Sequence, residues 1–212
     1  GNSRRDIDNN IMGTLFVDKL DPQSGTSLEI GSSGDTITIP SGATITNNGT
    51  QTGFGGTNTP AFAAYLATDS DQSISDSTTT KIEFEAERFD TAGAFDTSTH
   101  RFTVPAGQGG KYYIVVKVKC GSTQQNDIVG AFVHIYKNGS SYHSVGYTGA
   151  GFISGTKYPI LGIGVLCSSV LELGVGDYVE GYGYIKTNGA GTPKFQEGDD
   201  ASTYMEGFKL VE

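Results

Sequence analysis

Apolar residues fall at every second position through residues 111–120, where Tyr112, Ile114, Val116, Val118 and Cys120 share one face and Tyr113, Val115, Lys117 and Lys119 share the other. A period of two predicts a strand with its apolar face on a core. A second strand, residues 129–136, runs into Lys137-Asn138-Gly139, whose Asn-Gly pair tolerates the positive φ of a tight hairpin turn. Further strands are predicted over residues 61–67, 81–89, 100–104, 157–167, 169–173, 178–185 and 204–211, with Gly176-Asp177 as a turn between two of them. About eight or more strands in residues 58–212 is the complement of a jelly roll, and the count alone also suits a barrel. In residues 178–185, Tyr178, Tyr182 and Tyr184 face one way and Val179, Gly181, Gly183 and Ile185 the other, so neither face reads as simply solvated. Tyrosine buries a large ring while its hydroxyl finds a polar partner, which suits a subunit interface better than a ligand platform.

Upstream the pattern thins. Residues 20–57 hold short alternations around Leu28 and Ile30, Ile37 and Ile39, and Ile45, punctuated every six to eight residues by Gly, Pro or Asn-Gly. That apolar set is too sparse to close a core in one chain, since isolated hairpins are marginal in water. Three chains wrapped so that Ile37, Ile39 and Ile45 meet on one axis would bury it, and a short intertwined β-stalk is the expectation, with a flexible linker as the other reading. Residues 1–19 begin polar and end in the apolar run 11–17, the texture of an extended arm without a core of its own. Arg4, Arg5, Ile11, Leu15 and Phe16 are its candidate anchoring residues.

Composition narrows the classes. The chain has 31 glycines, no tryptophan and 17% charged residues, which fits strands and turns and leaves long amphipathic helices without a place. A net charge of -9, with no basic cluster beyond Arg4-Arg5, repels phosphate backbones, so nucleic acid is not an expected partner. No stretch approaches the roughly 18 to 20 apolar residues of a membrane-spanning helix, and membrane insertion is not expected. Cys120 and Cys167 lie on alternating strands and read as buried thiols rather than a disulfide framework.

Catalytic signals are weak. His100, His134 and His143 lack a metal-ligand spacing, and Glu83, Glu85 and Glu87 read as a solvated strand face rather than paired catalytic acids. Glu197, Asp199 and Asp200 crowd one loop and are the candidate calcium ligands, though three acids in a polar loop more often serve solubility. Gly174-Val-Gly-Asp177 and Gly53-Phe-Gly-Gly56 lack the context of a phosphate loop. No cofactor and no enzymatic activity are expected.

Several phrases in order over residues 60–212, namely Pro60-Ala-Phe62, Phe84, Phe95-Asp96, Phe102-Thr-Val-Pro105, Gly110-Lys-Tyr-Tyr113, Leu171-Glu-Leu-Gly-Val-Gly-Asp177 and Gly207-Phe208, resemble the C1q globular-head family. The resemblance implies an all-β, ten-stranded jelly-roll sandwich of the C1q and tumour-necrosis-factor kind that trimerises about a three-fold axis, with Tyr113 and Phe208 joining Tyr178, Tyr182 and Tyr184 as interface candidates. Three features depart from the family: two extra residues between Pro105 and Gly110, Met205 in place of an aromatic, and the loop 188–193. The stalk, through Asp18-Lys-Leu-Asp-Pro-Gln-Ser-Gly25 and Pro40-Ser-Gly-Ala-Thr44, resembles segments that precede trimeric heads in tail-fibre and other virion proteins of double-stranded DNA bacteriophages. Together these imply a homotrimeric structural protein of a phage virion, a tail fibre or a capsid decoration. Its arm would join other virion proteins and its head would meet a host-surface glycan or protein. The alternative is a cellular or secreted C1q-like binding module, for which a signal segment or collagen-like stem would be expected and neither is visible.

Overall fold

The computed structural model describes residues 18–49, 58–67, 71–148, 162–197 and 202–210. The chain divides into two compact units, Gly1–Thr52 and Gly53–Glu212.

The described residues of the second unit are all strand and loop. In chain order it contains β1 (Ala61–Tyr65), β2 (Gln72–Ser73), β3 (Thr80–Lys81), β4 (Ala86–Asp90), β5 (Phe95–Asp96), β6 (Arg101–Thr103), β7 (Gly110–Ser122), β8 (Ile128–Lys137), β9 (Ser140–Thr148), β10 (Gly162–Leu173), β11 (Tyr178–Thr187), β12 (Pro193–Phe195) and β13 (Tyr204–Lys209). Two antiparallel sheets form. Sheet one runs β10-β7-β13-β1-β4, with β12 and β2 continuing the β13 side of β7, and sheet two runs β9-β8-β11-β6-β5, with β3 also on β11. Taking β1, β6, β7, β8, β9, β10, β11 and β13 as first to eighth, the sheets read 1-8-3-6 and 2-7-4-5. That order, two Greek keys closed across a sandwich, is a jelly roll.

The period-two residues of β7 are its spine. Tyr112, Ile114, Val116, Val118 and Cys120 are all fully buried, facing Ala131, Val133 and Ile135 of β8 and Val179 and Ile185 of β11 in one continuous core. A buried tyrosine needs a partner for its hydroxyl. Tyr112 donates to the Gln108 carbonyl at 2.6 Å, and burial pushes its pKa up to about 12. Two glycines of β11 exist for space. A Cβ on Gly183 would meet the Phe195 ring at 2.5 Å, and one on Gly181 would meet Phe84 and Val116 at 2.9 Å. The β8–β9 hairpin turns on Asn138 and Gly139 with φ of 51° and 77°, as the Asn-Gly pair predicts.

Three expectations are corrected. Strands expected separately over 157–167 and 169–173 are one strand in the described region, β10, because Ser168 and Ser169 pair with Val115 and Ile114 without a break. The strand expected over 81–89 splits into β3 and β4: the Ile82 amide reaches Gly181 and the Phe84 amide turns back to the Ile82 carbonyl, although Ile82 and Phe84 still enter the core. The loop 188–193 ends in β12, which carries the buried Phe195. Residues 18–49 hold no strand; their Gly and Pro punctuation survives as turns, Asp35 N to Ser32 O at 2.9 Å and Ala43 N to Pro40 O at 3.1 Å. A strand needs a neighbour to take its amide and carbonyl groups, and nothing within 18–49 supplies one.

Candidate binding surfaces

With the core between the sheets, each sheet presents an outer face, and the two faces differ. On sheet one the outward residues of β7, β10 and β13 bring Tyr113 and Phe208 together, ring centroids 5.8 Å apart, beside Val115. Around them Leu166, Val170 and Phe89 are 46%, 49% and 51% exposed. Ala61, Phe89, Tyr113, Val115, Glu206 and Phe208 line a shallow hollow of about 190 Å³. Further along β13 the surface turns polar: Arg88 binds Glu206 at 2.9 Å and its guanidinium lies over Tyr65 and Tyr204. The neighbouring edge strand β9 exposes Tyr142, Val145 and Tyr147. Half-exposed aliphatic and aromatic side chains grouped on a flat sheet mark a contact surface.

Sheet two carries more aromatic rings, but they are already engaged with one another. Tyr136 and Tyr182 stack at 4.0 Å, Phe132 meets Tyr184 edge-on at 5.8 Å, and His134 sits between Phe132 and Tyr136 at 6.3 and 6.1 Å. The Phe132 ring covers Gly146 of β9, where any side chain would collide with it. Arg101 lies 4.6 Å over Tyr178. Beneath this layer Glu180 is buried and bound by Lys81 at 2.6 Å, whose ammonium also reaches the Thr99 carbonyl at 2.5 Å. A buried carboxylate needs such partners to remain charged. Burial, with the Glu180 charge second, raises the Tyr182 pKa, and burial lowers that of His134, which favours its neutral form at pH 7. At one end of the row Thr79, Phe132, His134, Tyr184 and Lys186 line an open cleft of about 360 Å³.

The loops at the two ends are held by carboxylates. Asp127, fully buried, accepts hydrogen bonds from Ser122 Oγ at 2.6 Å and from the Ala190 and Gly191 amides at 3.0 Å each. Asp76 accepts from the Thr187 amide and hydroxyl at 2.6 and 2.8 Å; burial pushes its carboxyl up, but those bonds, with Ser77 and Lys186, leave it below the usual range. At the opposite end the Asn138 side chain, the Gly174 amide and Lys137 hold the Asp177 pKa at about 2.

The interface residues expected from sequence therefore separate. Tyr113 and Phe208 share the outer face of sheet one, while Tyr178, Tyr182 and Tyr184 share that of sheet two. Ile37, Ile39 and Ile45 are exposed in the first unit, at 60%, 48% and 58%. Arg4, Arg5, Ile11, Leu15 and Phe16 lie outside the described residues, as do Asp199 and Asp200. Glu197 donates its amide to Asp71, and among the described residues no group of three His, Cys, Asp or Glu side chains could hold a metal. Glu83 and Glu85 are exposed, and His100 is tied through Nδ1 to the Phe84 carbonyl at 3.1 Å. Both cysteines are free and buried, and burial raises both thiol pKa values, that of Cys120 to about 12. Sequence reasoning missed Asp127, Asp76 and the Lys81–Glu180 pair. Each takes at least one partner more than sixty residues away, which no local pattern records.

Comparison with protein-family models and with curated proteins yields no match. Among solved structures, the globular domain of zebrafish complement 1qA protein superposes with a TM-score of 0.47 at 17% identity, covering 71% of this chain and 97% of that one. A tumour-necrosis-factor structure, Eiger from S. frugiperda, superposes at 0.48 and 12% identity, covering 72% and 92%. The jelly-roll assignment itself rests on the strand order.

Proposed function

We propose that this chain is a non-enzymatic structural and binding module that works as a homotrimer, with the jelly-roll head joined through its outer face of sheet one. The observation that carries the reading is the exposed patch of Phe89, Leu166 and Val170 around the half-buried pair Tyr113 and Phe208, set against a second face whose rings largely cover one another. The surface that matches a flat apolar face here is the adjoining β9 edge, with Tyr142, Val145 and Tyr147. Face against edge is a heterologous contact, and such contacts close into a ring at three copies or more, or else run on as a filament. Tyr178, Tyr182 and Tyr184 are left outside this contact, facing outward. Sedimentation of the full chain at micromolar concentration is expected to give three times the subunit mass of 22.3 kDa. A stable single subunit would overturn the proposal.

We further place the trimer in a phage virion, as a fibre or capsid-decoration protein whose segment 1–19 joins the particle and whose segment 20–57 forms the stalk. What supports this is the stalk sequence, whose isoleucines Ile37, Ile39 and Ile45 are exposed. Three copies of a weak head site would gain avidity on a repetitive host surface. Removing residues 1–19 is expected to leave a folded trimer that no longer joins particles; unchanged incorporation counts against the anchor. A cellular or secreted C1q-like module with the same head is the other reading, and absence of the protein from purified particles would favour it.

A further inference from the structure

Along the middle of the outer face of sheet two the charged groups are engaged with neighbours. Glu180 has Lys81, Lys81 has Thr99, Arg101 has the Tyr178 ring, and Tyr182 reaches Glu180. The cleft at its end does not follow that pattern. Among the described residues, no hydrogen bond or ion pair engages the Thr79 hydroxyl, the His134 ring nitrogens, the Tyr184 hydroxyl or the Lys186 ammonium, yet all four residues line one hollow of about 360 Å³. Phe132 and Tyr184 meet at 75° and form its aromatic corner, while His134 lies at 22° to Phe132. From these observations we infer that the cleft is a saccharide site for a pyranose bearing a carboxylate, of the hexuronate kind.

The volume suits a small saccharide, and ligand sites pair apolar walls with a few convergent polar groups. A pyranose offers both surfaces required: a C–H face to lie on the aromatic corner, and ring hydroxyls to exchange hydrogen bonds with Thr79, Tyr184 and His134. Burial favours a neutral His134, which can then both donate and accept. Lys186 selects the carboxylate. Among the described residues it is the one charged residue lining the cleft, in a chain whose net charge is -9. The carboxylate that acts on it, Asp76, is already bound by Thr187 and Ser77. A neutral sugar would leave the ammonium without a charged partner, whereas a uronate forms a charge-assisted bond with it.

This site rests on the binding role proposed above and on sheet two facing outward in the trimer. The test titrates a glucuronate-containing disaccharide, and the same disaccharide with its carboxyl reduced to the alcohol, into the full chain under ligand-observed NMR. The oligomeric state of each sample is read by sedimentation. The acidic sugar is expected to bind and the reduced one to bind at least about tenfold more weakly. Lys186→Gln, an exposed change, is expected to erase that difference, Tyr184→Ala to abolish binding of both, and Glu83→Gln to change neither. A trimeric sample that binds neither sugar overturns the site and spares the trimer. Equal affinity for both sugars, or Lys186→Gln leaving the preference intact, overturns the carboxylate assignment, and undiminished binding by a folded Tyr184→Ala overturns the aromatic cradle.

Discussion

Residues 18–49 and the jelly-roll unit use the same alternating vocabulary and end in opposite states. Asp35-Thr-Ile-Thr-Ile39 alternates as regularly as Val116-Lys-Val-Lys-Cys120, yet Ile37 and Ile39 are exposed while Val116, Val118 and Cys120 are fully buried. The difference lies in what stands opposite. β7 has β10 along one edge, β13 and β12 along the other, and a second sheet over its apolar face. The shorter alternations have turns at both ends and no ladder partner among the described residues. Alternation writes the face of a strand, and only a neighbouring strand makes the strand.

Matched substitutions in the two regions break or sharpen that contrast. The largest effect belongs to the core. Phe84→Ala removes a fully buried ring and should cost about 3–5 kcal/mol, lowering Tm by on the order of 10 °C in a melting scan. Ile39→Ala should leave the head transition where it is, and an equal drop would mean that the first unit is packed like the second. Next come the carboxylates. Asp127→Ala strands the buried Ser122 hydroxyl and releases two part-buried loop amides, at about 1–3 kcal/mol by denaturant titration, whereas Asp35→Ala frees only the exposed Ser32 amide and should cost about 0.5 kcal/mol or less.

Association is the third contrast. Leu166→Glu with Val170→Glu should dissociate the trimer while the head of each subunit keeps its native near-ultraviolet spectrum, and trimers persisting at micromolar concentration would remove sheet one from the interface. Ile37→Asn with Ile39→Asn should loosen the stalk alone, seen as faster proteolysis upstream of residue 58. The smallest effect is acid sensitivity. Asp177 has its folded pKa depressed from 3.8 to about 2, so its contribution is present above 3.8 and is lost as pH falls toward 2. Asp177→Asn should flatten that part of the stability profile, and an unaltered profile would remove Asp177 from the turn it holds.

The core face of β7, the tyrosine and glycine faces of β11, and the Asn138-Gly139 hairpin were legible in the sequence, because each depends on period two or on a local φ preference. The continuity of β10 through Ser168 and Ser169 was not, since two serines look like punctuation until Val115 and Ile114 stand opposite them. Nor was the buried Asp127, whose partners lie in β7 and in the loop before β12. The candidate site divided in the same way: Tyr184 and Lys186 share a face of one strand by period two, but Phe132 and His134 became their neighbours only when β11 paired with β8, and Thr79 only when β3 paired with β11.

The sequence by itself determined that this chain is all-β, which face of each long strand is apolar, and where the tight turns fall, because those properties are set within a few residues. Tertiary structure decided the order of strands in each sheet and which outward rings share a face. It also decided which charges are buried with partners and which lie open in a cleft. Those outcomes depend on side chains more than a hundred residues apart, such as Arg88 and Glu206, and no local pattern records them.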